Sequence, residues 1–193
     1  MTIHTSAAVK GIEKNNDGAT VTFSPVDDDS KIETVIGEKV LVAIGVGPRC
    51  DGLFSEELGI ELDHGFIKTD AKDVEEPTYR TSVPGVYAIG DIIGPPMLAH
   101  VASEEAVACV ERMVGHHTFG VDYNAIPACT YTNPQIASIG MTEQQAKDKG
   151  IDYVKGTYSL KSLGKAIAVG ATEGMVKLLA SKPYGEILGA HII

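Results

Sequence analysis

Residues Thr81 to His100 read TSVPGVYAIGDIIGPPMLAH, and this stretch decides the fold class, because it predicts a strand, a tight turn and a helix start with one acid at the turn. VYAIG, from Val86 to Gly90, is a short apolar run bounded by turn residues, and Asp91 follows at its carboxyl end. Open α/β sheets bind ligands at that end of their strands. Gly90 lets a ligand approach the backbone closely, and the Asp91 carboxylate accepts hydrogen bonds from hydroxyls, so a polyol or ribose suits the pair. After the Gly94-Pro95-Pro96 turn, the amides of Met97, Leu98, Ala99 and His100 open a helix. First-turn amides lack intrahelical partners and face anionic or strongly accepting atoms favourably.

Composition narrows the function classes. The 193 residues are 44% hydrophobic and 22% charged, which suits a folded chain with a sizeable core. A net charge of -10 offers no basic face to a phosphate backbone, so no nucleic-acid partner is expected. No apolar run reaches the roughly 18 residues that span a bilayer, and MTIHTSAAV has no basic segment followed by an apolar one. No membrane partner and no signal peptide are expected. Cys50, Cys109 and Cys129 are few, odd in number and widely spaced, which predicts buried reduced thiols in a cytoplasmic protein. His116 and His117 have no carboxylate or thiol at metal-ligand spacing, so no metal site is expected.

Upstream, AAVKGIEK and ATVTF read as strands about the NNDG turn, and KIETVI as a third strand after an acidic loop. KVLVAIG, Lys39 to Gly45, reads as a buried strand that ends abruptly at Gly45 to Pro48. GLFSEELGIELD then gives a short helical turn and an extended piece. Downstream, Leu98, Val101, Ala102, Ala106, Val107, Val110 and Met113 recur at helical spacing and predict a buried stripe, with Ser103, Glu104, Glu105, Glu111 and Arg112 on the solvated side. Gly115 ends that helix. CTYTNPQIASIG reads as two strands about an Asn-Pro turn, and Thr142 with Gln145 forms a capping box for a helix that Gly150 stops. TYSL, AIAVG, GMVKLLA and EILGAHII are further strand candidates, giving an antiparallel sheet covered on one face.

The Thr81–His100 string resembles the second flavin-binding motif of the pyridine nucleotide-disulfide oxidoreductases, and its MLAH ending resembles the dihydrolipoamide dehydrogenase branch. Tyr131 to Lys147, YTNPQIASIGMTEQQAK, is similar to the opening of the family's dimerisation domain, with Gln135 in place of the usual acid. KSLGKAIA keeps the shape of the family's N-G-R-A turn with Lys165 for arginine, a change that removes the bidentate fork. In GVGPRC, Val46 stands where the family usually has arginine.

The resemblance implies an α/β chain with an α+β portion: the end of an NAD-binding domain over residues 1–47, a central FAD-contacting segment over 48–120, and an incomplete dimerisation domain with an antiparallel sheet over 121–193. It implies that Asp91 holds the ribityl chain of FAD and that the amides of Met97, Leu98, Ala99 and His100 face the pyrimidine edge of the flavin. There a helix start favours the negative charge that reduction builds. Near NAD it places Gly45 and Val9. The parent enzyme would oxidise dihydrolipoamide with FAD and NAD, serve cell redox homeostasis, form a homodimer and associate with 2-oxo acid dehydrogenase complexes.

Resemblance covers nearly the whole chain, yet the family's G-x-G-x-x-G loop, its C-x4-C redox pair, its second glycine-rich loop and its C-terminal H-P-x-x-x-E pair are absent from these residues. His191 falls upstream of where the catalytic histidine would lie. The chain is therefore expected to be a fragment, inactive alone, with no catalytic residue and without retaining the parent's FAD and NAD, since the missing loops are those that cradle the pyrophosphates. Two alternatives stand beside this: a non-catalytic self-associating module, and a piece of another flavin disulfide reductase of the mercuric or glutathione reductase type.

Overall fold

The structure is a computed structural model that describes residues 1–16 and 18–193; Asp17, which belongs to the NNDG turn read from sequence, lies outside the described residues. The chain divides into two compact units, Met1–Gly47 and Pro48–Ile193.

In the first unit, β1 (Ala7–Asn15), β2 (Gly18–Pro25) and β3 (Glu33–Gly37) form an antiparallel meander in the order β1-β2-β3. Their β-branched residues suit a pleated surface, and Asn15 pairs with Gly18 across the hairpin end. Ala19, Phe23 and Ser24 are buried on β2, with the Ser24 hydroxyl donating to Asp29 at 3.2 Å. The expected buried strand at Lys39–Gly45 does not form, and Leu41 and Ile44 are each 90% exposed. A continuously apolar strand is stable only when neighbours pair with both edges and cover both faces, and the three-stranded meander supplies neither.

In the second unit, a 3-10 turn at Glu56–Leu58 is followed by β4 (Leu62–Asp63) and β5 (Phe66–Ile67), a short antiparallel pair. The VYAIG strand is reduced to a single antiparallel bridge between Tyr87 and Arg80, and Gly90–Ile93 form a 3-10 turn. With no neighbouring strand along its length, this segment satisfies its backbone through the bridge and turn instead.

Ala99–Met113 form α1. Its end is a Schellman arrangement: Gly115, at φ 85°, donates its amide to Arg112, and His116 donates to Glu111. The buried stripe is rotated from the expected one. Val101, Glu105, Ala108 and Cys109 are buried, whereas Val107, Val110 and Met113 lie about half exposed. The helix contributes Ala108 and Cys109 to an apolar cluster with Ile67, Ala71, Tyr79, Ala88 and Ile93, and the face toward that cluster is covered. Glu105, expected on the solvated side, is 2% exposed because partners satisfy both of its oxygens.

The remaining strands are β6 (Ala128–Thr130), β7 (Ile136–Gly140), β8 (Tyr153–Ser159), β9 (Met175–Ser181) and β10 (Ile187–Ile192). They form one antiparallel sheet in the order β6-β7-β10-β9-β8. Leu179, opposite Gly189 and Lys155, is fully buried, while its strand neighbour Leu178 is exposed, as period-two alternation requires. At the crossing of β7 and β10, a Cβ on Gly140 would collide with the Leu188 carbonyl oxygen and one on Gly189 with that of Met141, so the strands meet at that distance only through glycine. α2 (Glu143–Asp148) carries the capping box read from sequence: Thr142 Oγ1 accepts the Gln145 amide and Gln145 Oε1 accepts the Thr142 amide. Ala166–Gly170, expected as a strand, instead belongs to α3 (Gly164–Val169), which Gly170 closes at φ 69°. AIAVG is too short for period to separate helix from strand, and the glycines at 164 and 170 bracket a helical turn equally well.

Candidate functional site: an acid turn against a helix start

Asp91 and the start of α1 come together in the second unit. Gly90 adopts φ 75°, and a Cβ there would lie 3.2 Å from that of Ala102, so glycine allows the turn to sit directly on the helix. The Asp91 side chain is exposed and has no side-chain hydrogen bond among the described residues; its carbonyl accepts the Gly94 amide at 3.3 Å. Leu98 is the N-cap of α1 and no side chain caps it. The Leu98 amide donates to the Pro96 carbonyl, and the next amide with a partner is that of Ala102, which donates to the Leu98 carbonyl. Among the described residues, the Ala99, His100 and Val101 amides are left as open donors. Met97 and Leu98 are half-buried; Ala99 and His100 are exposed. The His100 ring turns away from the turn, with Nε2 3.0 Å from the Pro127 carbonyl oxygen.

A carboxylate beside a run of uncapped helix amides can accept hydroxyl hydrogens at one place and donate to carbonyl or anionic oxygens at the next. That donor and acceptor set fits the sugar-like chain and pyrimidine edge of a flavin. The other two sequence candidates lie in the first unit. Val9 is 58% exposed on β1, and Gly45 has φ 90° in the exposed segment after β3.

Beneath the turn is a set of polar residues that the sequence reading did not single out. Glu105 accepts the Gly90 amide at 2.6 Å through Oε2 and the Tyr123 hydroxyl at 2.6 Å through Oε1. Burial, then the Glu105 hydrogen bond, holds the Tyr123 hydroxyl far above the usual phenol range. Lys72 Nζ lies 5.4 Å from the centre of the Tyr123 ring and donates to the Pro95 carbonyl at 2.6 Å. Asp70 accepts the Thr78 amide, the Thr78 hydroxyl at 2.6 Å and the Tyr79 amide at 2.6 Å. These bonds hold Tyr79 at φ 59°, fully buried. Its hydroxyl faces Val121 without hydrogen-bond geometry, and burial pushes it up to about 12.

One sequence signal for Glu105 existed: it stands four residues after Val101 and three before Ala108, in phase with the true apolar stripe. Asp70 and Lys72 gave none, because their partners lie in segments without periodic pattern.

The thiols differ from the expectation of uniform burial. Cys109 is buried and its pKa is raised by burial and by Asp70, Cys50 is half-buried with Sγ 3.3 Å from the Gly65 carbonyl oxygen, and Cys129 is exposed. The short β6 pairs along one edge only and leaves its side chains in solvent.

A family described as pyridine nucleotide-disulphide oxidoreductase matches residues 1–106, and the dimerisation domain of the same family matches residues 126–193. The chain belongs to that family. Among curated relatives it is 41% identical over 192 residues to dihydrolipoyl dehydrogenase of Rhizobium etli, covering 99% of this chain and 38% of that protein. The Bacillus subtilis dihydrolipoyl dehydrogenase is 41% identical over 98% of this chain and 38% of its own length. The mitochondrial dihydrolipoyl dehydrogenase of Homo sapiens is 38% identical over 96% and 35%. The chain thus spans somewhat more than a third of the relatives it matches.

Among solved structures, LpdA from Mycobacterium tuberculosis superposes with a TM-score of 0.80 at 24% identity, covering 96% of this chain and 38% of that one. The HOCl-induced flavoprotein disulfide reductase RclA from Escherichia coli gives 0.76 at 21% identity, covering 96% and 40%. These superpositions bear out the mixed α/β fold with antiparallel sheets.

Proposed function

We propose that this chain forms the flavin-facing wall and the dimerisation sheet of a dihydrolipoyl dehydrogenase, whose reaction is oxidation of dihydrolipoamide with FAD and NAD. The single observation that carries the reading is the uncapped start of α1 beside the Asp91 carboxylate, which has no side-chain partner among the described residues. In this reading Asp91 accepts ribityl hydroxyls, and the amides at Met97, Leu98, Ala99 and His100 point along the pyrimidine edge, with those from Ala99 onward free to donate. FAD, when bound, supplies the two-electron acceptor between dithiol and nicotinamide. The chain's part is to hold it, to orient it and to favour negative charge at the helix start.

Val9 and Gly45 are proposed NAD contacts, supported by their exposure in the first unit. Residues 1–47, 48–120 and 121–193 are assigned to the end of the NAD domain, the FAD-contacting segment and the dimerisation domain. A homodimer joined through the terminal sheet, association with 2-oxo acid dehydrogenase complexes and a cytoplasmic setting that keeps three free thiols reduced complete the assignment.

These residues hold no cysteine pair at redox spacing, so the chain by itself is proposed to be inactive. A second reading, a self-associating module, is favoured by the exposed Ile136, Ile139, Val154, Leu178 and Ile187 of the terminal sheet. Purification bears on the second reading: a colourless dimer supports the module, whereas a chain that retains yellow flavin refutes it. The Asp91 assignment has its own test. In the intact parent, Asp91→Ala should weaken flavin retention by about tenfold or more, since a hydrogen bond to a charged group contributes about 1.5 to 3 kcal/mol. Equal flavin content in mutant and wild type after desalting would rule the role out.

A further inference from the structure

We propose that Glu105 is a positioning residue for Asp91, and that Tyr123 completes a clamp joining the Asp91 turn to the segment that leads into the terminal sheet. This rests on the reading of Asp91 as the cofactor-facing acid.

A carboxylate in the middle of a helix, 2% exposed and in phase with Val101 and Ala108, occupies a place where an apolar side chain would cost less. What it gains is geometry. One oxygen takes the amide of Gly90, the residue immediately before Asp91, and the other takes the Tyr123 hydroxyl from the loop between α1 and β6, both at 2.6 Å. The Gly90 amide therefore has a fixed direction at a residue whose own backbone, at φ 75°, is intrinsically free.

The far end of the same turn is held as well. Lys72 donates to the Pro95 carbonyl while its ammonium stands over the Tyr123 ring. Residues 90–95 are thus fastened at both ends, and Tyr123 touches both fasteners. The position of the Asp91 carboxylate then depends on a residue that lies only three positions before the dimerisation match at Ile126.

The test uses amide hydrogen exchange by NMR on the 193-residue chain, with FAD affinity measured by flavin fluorescence in the intact parent carrying the same substitutions. Glu105→Ala should speed Gly90 exchange by about tenfold or more, the loss of one charge-assisted bond, while Ala88, whose amide donates to the Tyr79 carbonyl in the core, stays protected. Tyr123→Phe should speed Gly90 exchange severalfold, and it carries the test if the alanine variant folds poorly. Glu105→Gln, whose carbonyl can still accept from Gly90 and whose amide can donate to Tyr123, should stay near wild type. FAD affinity should fall in the same order as Gly90 protection.

Gly90 exchange that is unchanged, or that rises only in step with Ala88, would overturn the clamp. Weakened Gly90 protection with unaltered FAD affinity would overturn its positioning role. If Asp91→Ala leaves the flavin content of the intact parent unchanged, the cofactor reading of Asp91 fails, and the exchange data still decide the clamp.

Discussion

Replacing Asp70 with alanine should be among the most damaging single changes in the second unit. Its carboxylate accepts three donors, the Thr78 amide, the Thr78 hydroxyl and the Tyr79 amide, and with them holds a fully buried tyrosine at φ 59°. A non-glycine residue in the left-handed region costs about 1–2 kcal/mol. Hydrogen bonds to a charged acceptor contribute roughly 1.5–3 kcal/mol each, and three that share one carboxylate give less than their sum. Truncation removes them and strands two backbone amides in a part-buried site, at about 1–3 kcal/mol apiece. The net expectation is a loss of about 3–5 kcal/mol, a large share of the 5–15 kcal/mol typical of a domain. Asp70→Asn keeps one accepting oxygen and should lose about half as much.

Urea unfolding of the two variants reads this directly. The chain has no tryptophan and seven tyrosines, so tyrosine fluorescence and far-UV circular dichroism serve as probes. A midpoint that drops with an unchanged slope reports stability alone. Should Asp70→Ala cost under about 1 kcal/mol, the claim that these bonds fix Tyr79 would be refuted.

Three further expectations follow from the same geometry. Leu179→Ala empties a fully buried position on β9 and should cost about 2–5 kcal/mol by calorimetry, against under about 1 kcal/mol for Leu178→Ala on the exposed face. His191 has its pKa lowered from 6.5 by burial and by Lys177. The unfolded chain therefore takes up that proton at higher pH than the folded one, and its stability contribution is complete above pH 6.5 and lost as pH falls below it. His191→Phe should flatten that part of the melting temperature against pH curve. With a thiol-disulfide reagent, Cys129 should react first, Cys50 more slowly and Cys109 only on unfolding.

Much of the local structure was legible because its causes are local. The Thr142–Gln145 capping box, the αL closure at Gly115 and the strands around Asn133-Pro134 follow from side chains within a few residues of one another. Lys39–Gly45 and VYAIG misled for one reason: their composition describes strands in a larger parallel sheet, and pairing is a property of neighbours rather than of the strand. Asp91 and the helix start were visible because glycine, acid and turn stand in sequence. Glu105 was not, since a helix-face charge reads as solvated until its partners, 15 residues before and 18 after, are in place. The phase of α1 failed similarly, because Val107, Val110 and Met113 are as apolar as the residues that are covered.

The exposed apolar run after β3 has a practical consequence for handling the chain. Val40, Leu41, Val42, Ile44 and Val46 fall within seven residues of high β propensity flanked by few charges, the composition of segments that stack into cross-β ribbons. In concentrated solution these residues are expected to set the shelf life of the chain. A lysine at position 42 would act as a gatekeeper, slowing fibril growth seen by thioflavin T while leaving the meander and the acid turn untouched.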